Sequence, residues 1–174
     1  MKIACIYHKI DLDGWMAAAI VKKHIQDEYA DKPLHSYDYD VEPIQKFENA
    51  LVMIGYNYND PIPDLNDFDR VIMVDISLPK EDMLALRLKL GNNFIWIDHH
   101  ISAIEENIDT LKNHNISGNL NTKFATCELA WQFFYLDEVI PEVVRLLGRY
   151  DCYGHKGTDE EQKVIEFQYG ARTV

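Results

Sequence analysis

Two runs in this sequence, RVIMVDI at 70–76 and FIWID at 94–98, are, after Arg70 in the first, apolar or aromatic without alternation until each meets an aspartate. A strand with one wet face alternates apolar and polar residues, whereas a continuous β-branched run is typical of a strand buried on both faces. Between them PKEDMLALRLKLGNN (79–93) has Pro at its start, acids in its first turn and Gly-Asn at its end, which are helix start and stop signals. KIACIY (2–7) reads as a first strand and GWMAAAIVKKHIQDEYA (14–30), with three consecutive alanines and no internal breaker, as the helix after it. LHSYDY (34–39) and ALVMIGY (50–56) are further strand candidates. The alternation predicts an α/β fold: an open parallel sheet of about five strands with helices on both faces. A mostly helical C-terminal part should follow, at 125–139, 141–150 and 158–170, the last opened by a capping box of Thr158 and Glu161. NDPIPDLNDFD (59–69) reads as a surface loop.

At 174 residues the chain has the length of one domain with a full core. It is 47% hydrophobic and 26% charged, a soluble globular profile. No apolar run approaches the roughly 20 residues that span a bilayer, and the N-terminus reads as a strand, so neither a membrane segment nor a signal peptide is expected. The cysteines, at 5, 127 and 152, include no CxxC pair, which points to a reduced, cytoplasmic protein without a structural zinc site. The net charge of −12 argues against long nucleic acid, whose binding needs many Lys and Arg on phosphates. A small anionic substrate stays compatible if cations sit in the site.

Acids and imidazoles gather at the carboxyl ends of the expected strands, where open α/β sheets bind ligands. HKIDLDG supplies His8, Asp11 and Asp13; VIMVD ends in Asp75; FIWID runs into Asp98, His99 and His100; Asp151 follows LLGRY at a helix end. So many carboxylates in one crevice repel unless a cation compensates them. Carboxylates with a few imidazoles suit Mn, Mg or Fe(II), and there are enough ligands for two octahedral sites. Two metals about 3.5–4 Å apart can share a carboxylate and bind a bridging hydroxide for in-line attack on phosphorus. Each residue also has a plainer reading. Asp75 could cap the next helix, Asp11 and Asp13 could form a turn before Gly14, His8 could be a half-buried strand residue and Asp151 a helix end. His24, His35 and His114 read as surface or packing residues and Cys152 as a packing residue. The plain readings for the strand-end residues require independent coincidences at one edge of one sheet.

HKIDLDG, VDIS, IDHH and GRYD, in that order and rough spacing, resemble the DHH phosphoesterase superfamily, and TKFATCELAWQF looks like the helix that follows its signature. That superfamily includes RecJ-like exonucleases, oligoribonucleases (nanoRNases), cyclic-dinucleotide phosphodiesterases and family II inorganic pyrophosphatases. The resemblance runs from His8 to about Asp151. It implies that His8, Asp11 and Asp75 hold one divalent metal and Asp13, Asp75, His99 and Asp151 a second, with Asp75 bridging. It further implies that His100 faces the scissile phosphate while Asp98 orients a histidine. The expected cofactors are two divalent ions, Mn2+ or in its place Mg2+. The expected activity is hydrolysis of short oligonucleotides or (cyclic) dinucleotides by a metal-bridging hydroxide. Partners would be small phosphorylated molecules, without long nucleic acid or membrane, and a homodimer is compatible. An inorganic pyrophosphatase or exopolyphosphatase-like hydrolase, a receiver-like module with Asp75 as phosphoacceptor, and a degenerate, non-catalytic binding domain are the alternatives. A receiver would need Lys where Asp-His-His stands. Two departures from the family pattern stand out: two residues separate His8 from Asp11, and no DHHA1- or DHHA2-type second domain is expected within 1–174, which reads as a single catalytic domain.

Overall fold

In the computed structural model, which describes residues 1–30 and 50–173, five strands form one all-parallel sheet. They are β1 (Ile3–His8), β2 (Leu51–Tyr56), β3 (Arg70–Val74), β4 (Phe94–Asp98) and β5 (Ser117–Leu120). Between and after them come α1 (Leu12–Ala30), α2 (Lys80–Leu90), α3 (Ile101–His114), α4 (Thr126–Phe134), α5 (Glu142–Asp151) and α6 (Glu161–Ala171). The expected α/β class and parallel sheet are therefore what the chain builds.

Both faces of the central strands are dry, which is why those runs lack alternation. The period of two divides each strand between the faces. Ile3, Cys5, Ile72, Val74, Ile95 and Ile97 face α1, α4 and α5. Ala4, Ile6, Val71, Met73, Phe94 and Trp96 face the other way, against Met83 and Leu86 of α2 and Ala103 of α3. The loop expected at the surface also contributes: Leu65 and Phe68 tuck into this second core.

Strand order decides where a site can form. The order is β2-β1-β3-β4-β5, so the chain leaves β1 in one direction and returns on its other side to make β3. Where such connections diverge, a crevice opens beyond the strand ends. Here that point lies between the ends of β1 and β3, at His8 and Asp75.

Several local expectations need correction. SGNL (117–120) carries no strand pattern, yet forms β5 by pairing with β4. Residue 118 must be glycine: its φ is +149°, and a Cβ would lie 1.8 Å from the Trp96 carbonyl oxygen. Helix α4 stops at Phe134, short of residue 139. The capping box at 158 does not form, because Thr158 Oγ1 donates to the His155 carbonyl and Glu161 accepts from the Gly157 amide. The strand candidate at 34–39 and His35 lie outside the described residues. Among the described residues, no helix is long and apolar enough to cross a membrane.

Candidate metal centre

The first half of the site comes from a tight entry into α1. Asp11 precedes the helix, and its Oδ1 accepts the Gly14 amide at 2.9 Å, a capping bond. Its other oxygen lies 2.8 Å from His8 Nδ1. The plain reading of Asp11 as a turn former thus accounts for one oxygen and leaves the second facing His8. Gly14 permits this geometry, since a Cβ there would sit 2.1 Å from the His8 carbonyl oxygen. Asp75 ends the neighbouring strand, with Oδ2 3.6 Å from the same imidazole nitrogen.

Asp75 does not cap a helix. The residue at the N-terminus of α2 is Pro79, with no side-chain cap. Instead Asp75 adopts φ 61°, an uncommon conformation for a non-glycine residue, and its side chain is 1% exposed. Such local strain is typical of sites that over-determine a side chain's position.

The second half is assembled from distant sequence. Asp13, 3% exposed, accepts the backbone amides of Thr126 and Cys127, each at 2.8 Å. Those amides open α4, where unpaired N–H groups and the helix dipole favour an anion. Thr126 Oγ1 donates to Asp75 Oδ1 at 2.9 Å, so one helix end fixes both carboxylates.

Asp98, fully buried, turns the chain beyond β4. Its Oδ1 accepts the amides of His99 and His100 at 2.7 and 3.0 Å and lies 2.7 Å from His100 Nδ1. Its Oδ2 accepts the Trp96 indole N–H at 3.2 Å. The turn re-aims the next imidazole as well. His99 Nε2 stands 3.4 Å from Asp151 Oδ2, 3.5 Å from Asp75 Oδ1 and 3.8 Å from Asp13 Oδ2. These separations exceed the roughly 2.7–2.9 Å of charge-assisted hydrogen bonds.

The structure thus brings all eight sequence-nominated residues to one edge of the sheet. His8 Nδ1 and Asp75 Oδ2 test whether they fit a metal. Both atoms are buried and lack a hydrogen-bond partner, the 2.8 Å approach of Asp11 being out of line for one. Buried polar atoms are nearly always paired, and unpaired donor atoms converging from an imidazole and carboxylates fit a divalent cation. Donor atoms of His8, Asp11 and Asp75 lie within 4.8 Å of one another, as do those of Asp75, His99 and His100. The residues fit the metals that the sequence implies.

Without metal, protonated imidazoles take the place of cations. Asp11, then Asp75, hold His8 up at about 10, against an ordinary 6.5. Burial works against charge on His99, but Asp75, Cys152 and Asp13 outweigh it and raise the imidazole to about 11. Asp75 is likewise opposed by burial, yet His8, His99 and His100 pull it well below the usual carboxylate range. Burial raises Asp13, reinforced by the charges of Asp75 and Asp151. Folded-state values above the unfolded one mean that His8 and His99 stabilise the metal-free protein fully below about pH 6.5. That contribution is lost as pH climbs through about 10 and 11. Metal requires neutral imidazoles, so loading releases protons. Calorimetry near neutral pH, in buffers of different ionisation enthalpy, should show net proton release and an affinity that rises with pH. A pH-independent affinity would contradict this electrostatic account.

Sequence reasoning missed the α4 amides and the Thr126 hydroxyl, because a backbone N–H has no residue signature. It also assigned Cys152 to packing alone, whereas the structure sets Cys152 beside His99 and Asp151. His24 does pack, stacked on Phe134 at 4.3 Å.

A family model described as the DHH family, N-terminal domain, matches residues 2–148. Asp151 falls just beyond that span. No curated protein matches the chain. Among solved structures, the crystal structure of an uncharacterized protein from Helicobacter pylori G27 is similar, with 15% identity and a TM-score of 0.56. The match covers 90% of this chain and 44% of that one. At this identity the likeness shows the fold, and the present chain spans less than half of that protein.

Proposed function

Because this chain belongs to the DHH family, we propose that it is a two-metal phosphodiesterase acting on short oligonucleotides or (cyclic) dinucleotides. The observation that carries this reading is Asp75. It is buried and strained, and it stands between two groups of donor atoms, with one oxygen toward His8 and the other toward His99. His8, Asp11 and Asp75 would hold one divalent ion, and Asp13, Asp75, His99 and Asp151 a second. Mn2+ is the working ion, with Mg2+ in its place. Bound there, such ions supply charge neutralisation at a phosphate and lower the pKa of water toward neutrality.

The remaining chemistry belongs to the protein. The α4 amides fix Asp13 and the Thr126 hydroxyl fixes Asp75, so these carboxylates enter the reaction already oriented. Asp98 holds His100 through Nδ1, which leaves Nε2 as the nitrogen to meet the scissile phosphate or the leaving oxygen. Asp98 also raises the pKa of His100, favouring the protonated form that a donor needs. The net charge of −12 favours a short substrate over a polymer. A receiver-like role is disfavoured, since a phosphoacceptor must be reachable and Asp75 is 1% exposed.

A panel assay in Mn2+ tests the proposal, comparing dinucleotides, cyclic dinucleotides, pyrophosphate and a generic chromogenic diester. Cleavage of the nucleotide diesters is expected. Hydrolysis of pyrophosphate alone would move the assignment to a pyrophosphatase, and a loaded protein inert toward all four would refute it. Replacing His100 by Ala should lower kcat by about 10²–10⁴-fold, the usual contribution of a general acid, with metal content unchanged. Loss of metal from that variant would make His100 a ligand.

A further inference from the structure

The proposed centre contains one donor that the hard-metal reading leaves unused. Cys152 follows Asp151 at the end of α5, its amide donating to the Gly148 carbonyl at 3.1 Å. Helix α5 thus delivers two consecutive side chains to His99. A ring nitrogen of His99, a carboxylate oxygen of Asp151 and Cys152 Sγ all lie within 4.8 Å of one another. Donors that share an ion through bonds of about 2.0–2.3 Å sit roughly 3–4 Å apart, so this triad needs only a small adjustment to close on one.

The other cysteines are placed differently. Cys5 is fully buried among core residues of β1, and Cys127, also fully buried, donates through Sγ to the Val144 carbonyl at 3.6 Å. Cys152 is partly exposed. It also adjoins a centre whose His8 side shows its need for cations in the unpaired buried Oδ2 of Asp75, the residue whose Oδ1 stands 3.5 Å from His99.

We propose that Cys152 is a thiolate ligand to the metal held by His99 and Asp151, which makes the two halves of the centre chemically unequal. This rests on the two-metal reading above and refines it. The His8–Asp11–Asp75 half offers only oxygen and nitrogen and suits Mn2+ or Mg2+. The His99–Asp151–Cys152 half adds sulfur and selects a softer ion such as Zn2+, Co2+ or Fe2+. On coordination the S–H bond breaks, its proton passes to solvent, a sulfur–metal bond forms, and neither partner changes oxidation state.

Cobalt(II) is the probe. The wild-type protein loaded with Co2+ should show a sulfur-to-cobalt charge-transfer band in the near ultraviolet. Cys152→Ser and Cys152→Ala should lose that band while keeping visible d–d absorption, with Co2+ and Zn2+ affinity lowered at least about tenfold and Mn2+ affinity changed less. Should either variant fold poorly, alkylation of the wild-type chain gives the same answer: Co2+ should protect Cys152 from iodoacetamide, as mapped by mass spectrometry. A loaded wild-type protein with d–d absorption but no charge-transfer band, a band that survives in Cys152→Ser, or an unprotected Cys152 overturns the thiolate assignment. Those results leave the phosphodiesterase reading intact. A chain that takes up no Co2+ at all overturns both.

Discussion

Asp75→Asn should reduce hydrolysis by at least about 10³-fold, equivalent to roughly 4 kcal/mol of barrier, and should cut the metal content from two ions to one or none. The substitution is nearly isosteric, and Asn is one of the few residues that tolerates positive φ, so the backbone at 61° need not move. Asn Oδ1 can still accept the Thr126 hydroxyl. What changes is charge and chemistry: one oxygen becomes an NH2 donor, and the side chain can no longer be shared between two ions. The fold should therefore survive while the centre fails. Metal analysis and a Mn2+-saturated rate measurement check this together. Two retained ions and a rate within tenfold of wild type would refute a bridging Asp75. The variant has a second readout without metal: His8 and His99, both held up in part by Asp75, should titrate at lower pH in an NMR experiment.

Gly14→Ala should be the most damaging single-methyl change at the metal centre itself. The added Cβ would lie 2.1 Å from the His8 carbonyl oxygen and 2.9 Å from the His8 carbonyl carbon and Cβ. Backbone cannot swing aside as a flexible side chain does, so α1 must lift from the end of β1. Overpacking of this kind costs about 3 kcal/mol, or a fall in Tm of about 6–12 °C for a chain of this size. The same shift separates His8 from Asp11 and pulls Asp13 away from α4, so metal affinity should fall with stability. Thermal melts with and without Mn2+ measure both effects. A variant as stable as wild type, with metal protection undiminished, would show that the close approach does not constrain the site.

The fold was legible where side chains alone determine it. RVIMV and FIWI are buried on both faces, and a buried parallel strand has little choice but to be continuously apolar. The strand at 117–120 was hidden because its conformation comes from hydrogen bonds to β4, and Ser-Gly-Asn-Leu shows no apolar pattern. Thr158 and Glu161 have capping-box spacing, but the helix begins only at Glu161, too late for that pair to cap it. At the site, the acids and imidazoles could be found because strand ends collect ligands in this topology. Their supports could not. Asp13 is held by two amides more than a hundred positions away, and no spacing rule reaches that far. Cys152 looks like any small half-buried residue until α5 is docked beside His99.

The clasp between Asp13 and the start of α4 also sets an order of events. During synthesis His8, Asp11 and Asp13 come first, and the amides of Thr126 and Cys127 follow Asp13 by 113 and 114 residues. Until they do, Asp13 lacks the two donors that hold it, and the group of donor atoms around His99 is incomplete. The centre as a whole can therefore close only after the last third of the chain has been made and docked, so its assembly reports on completion of the domain.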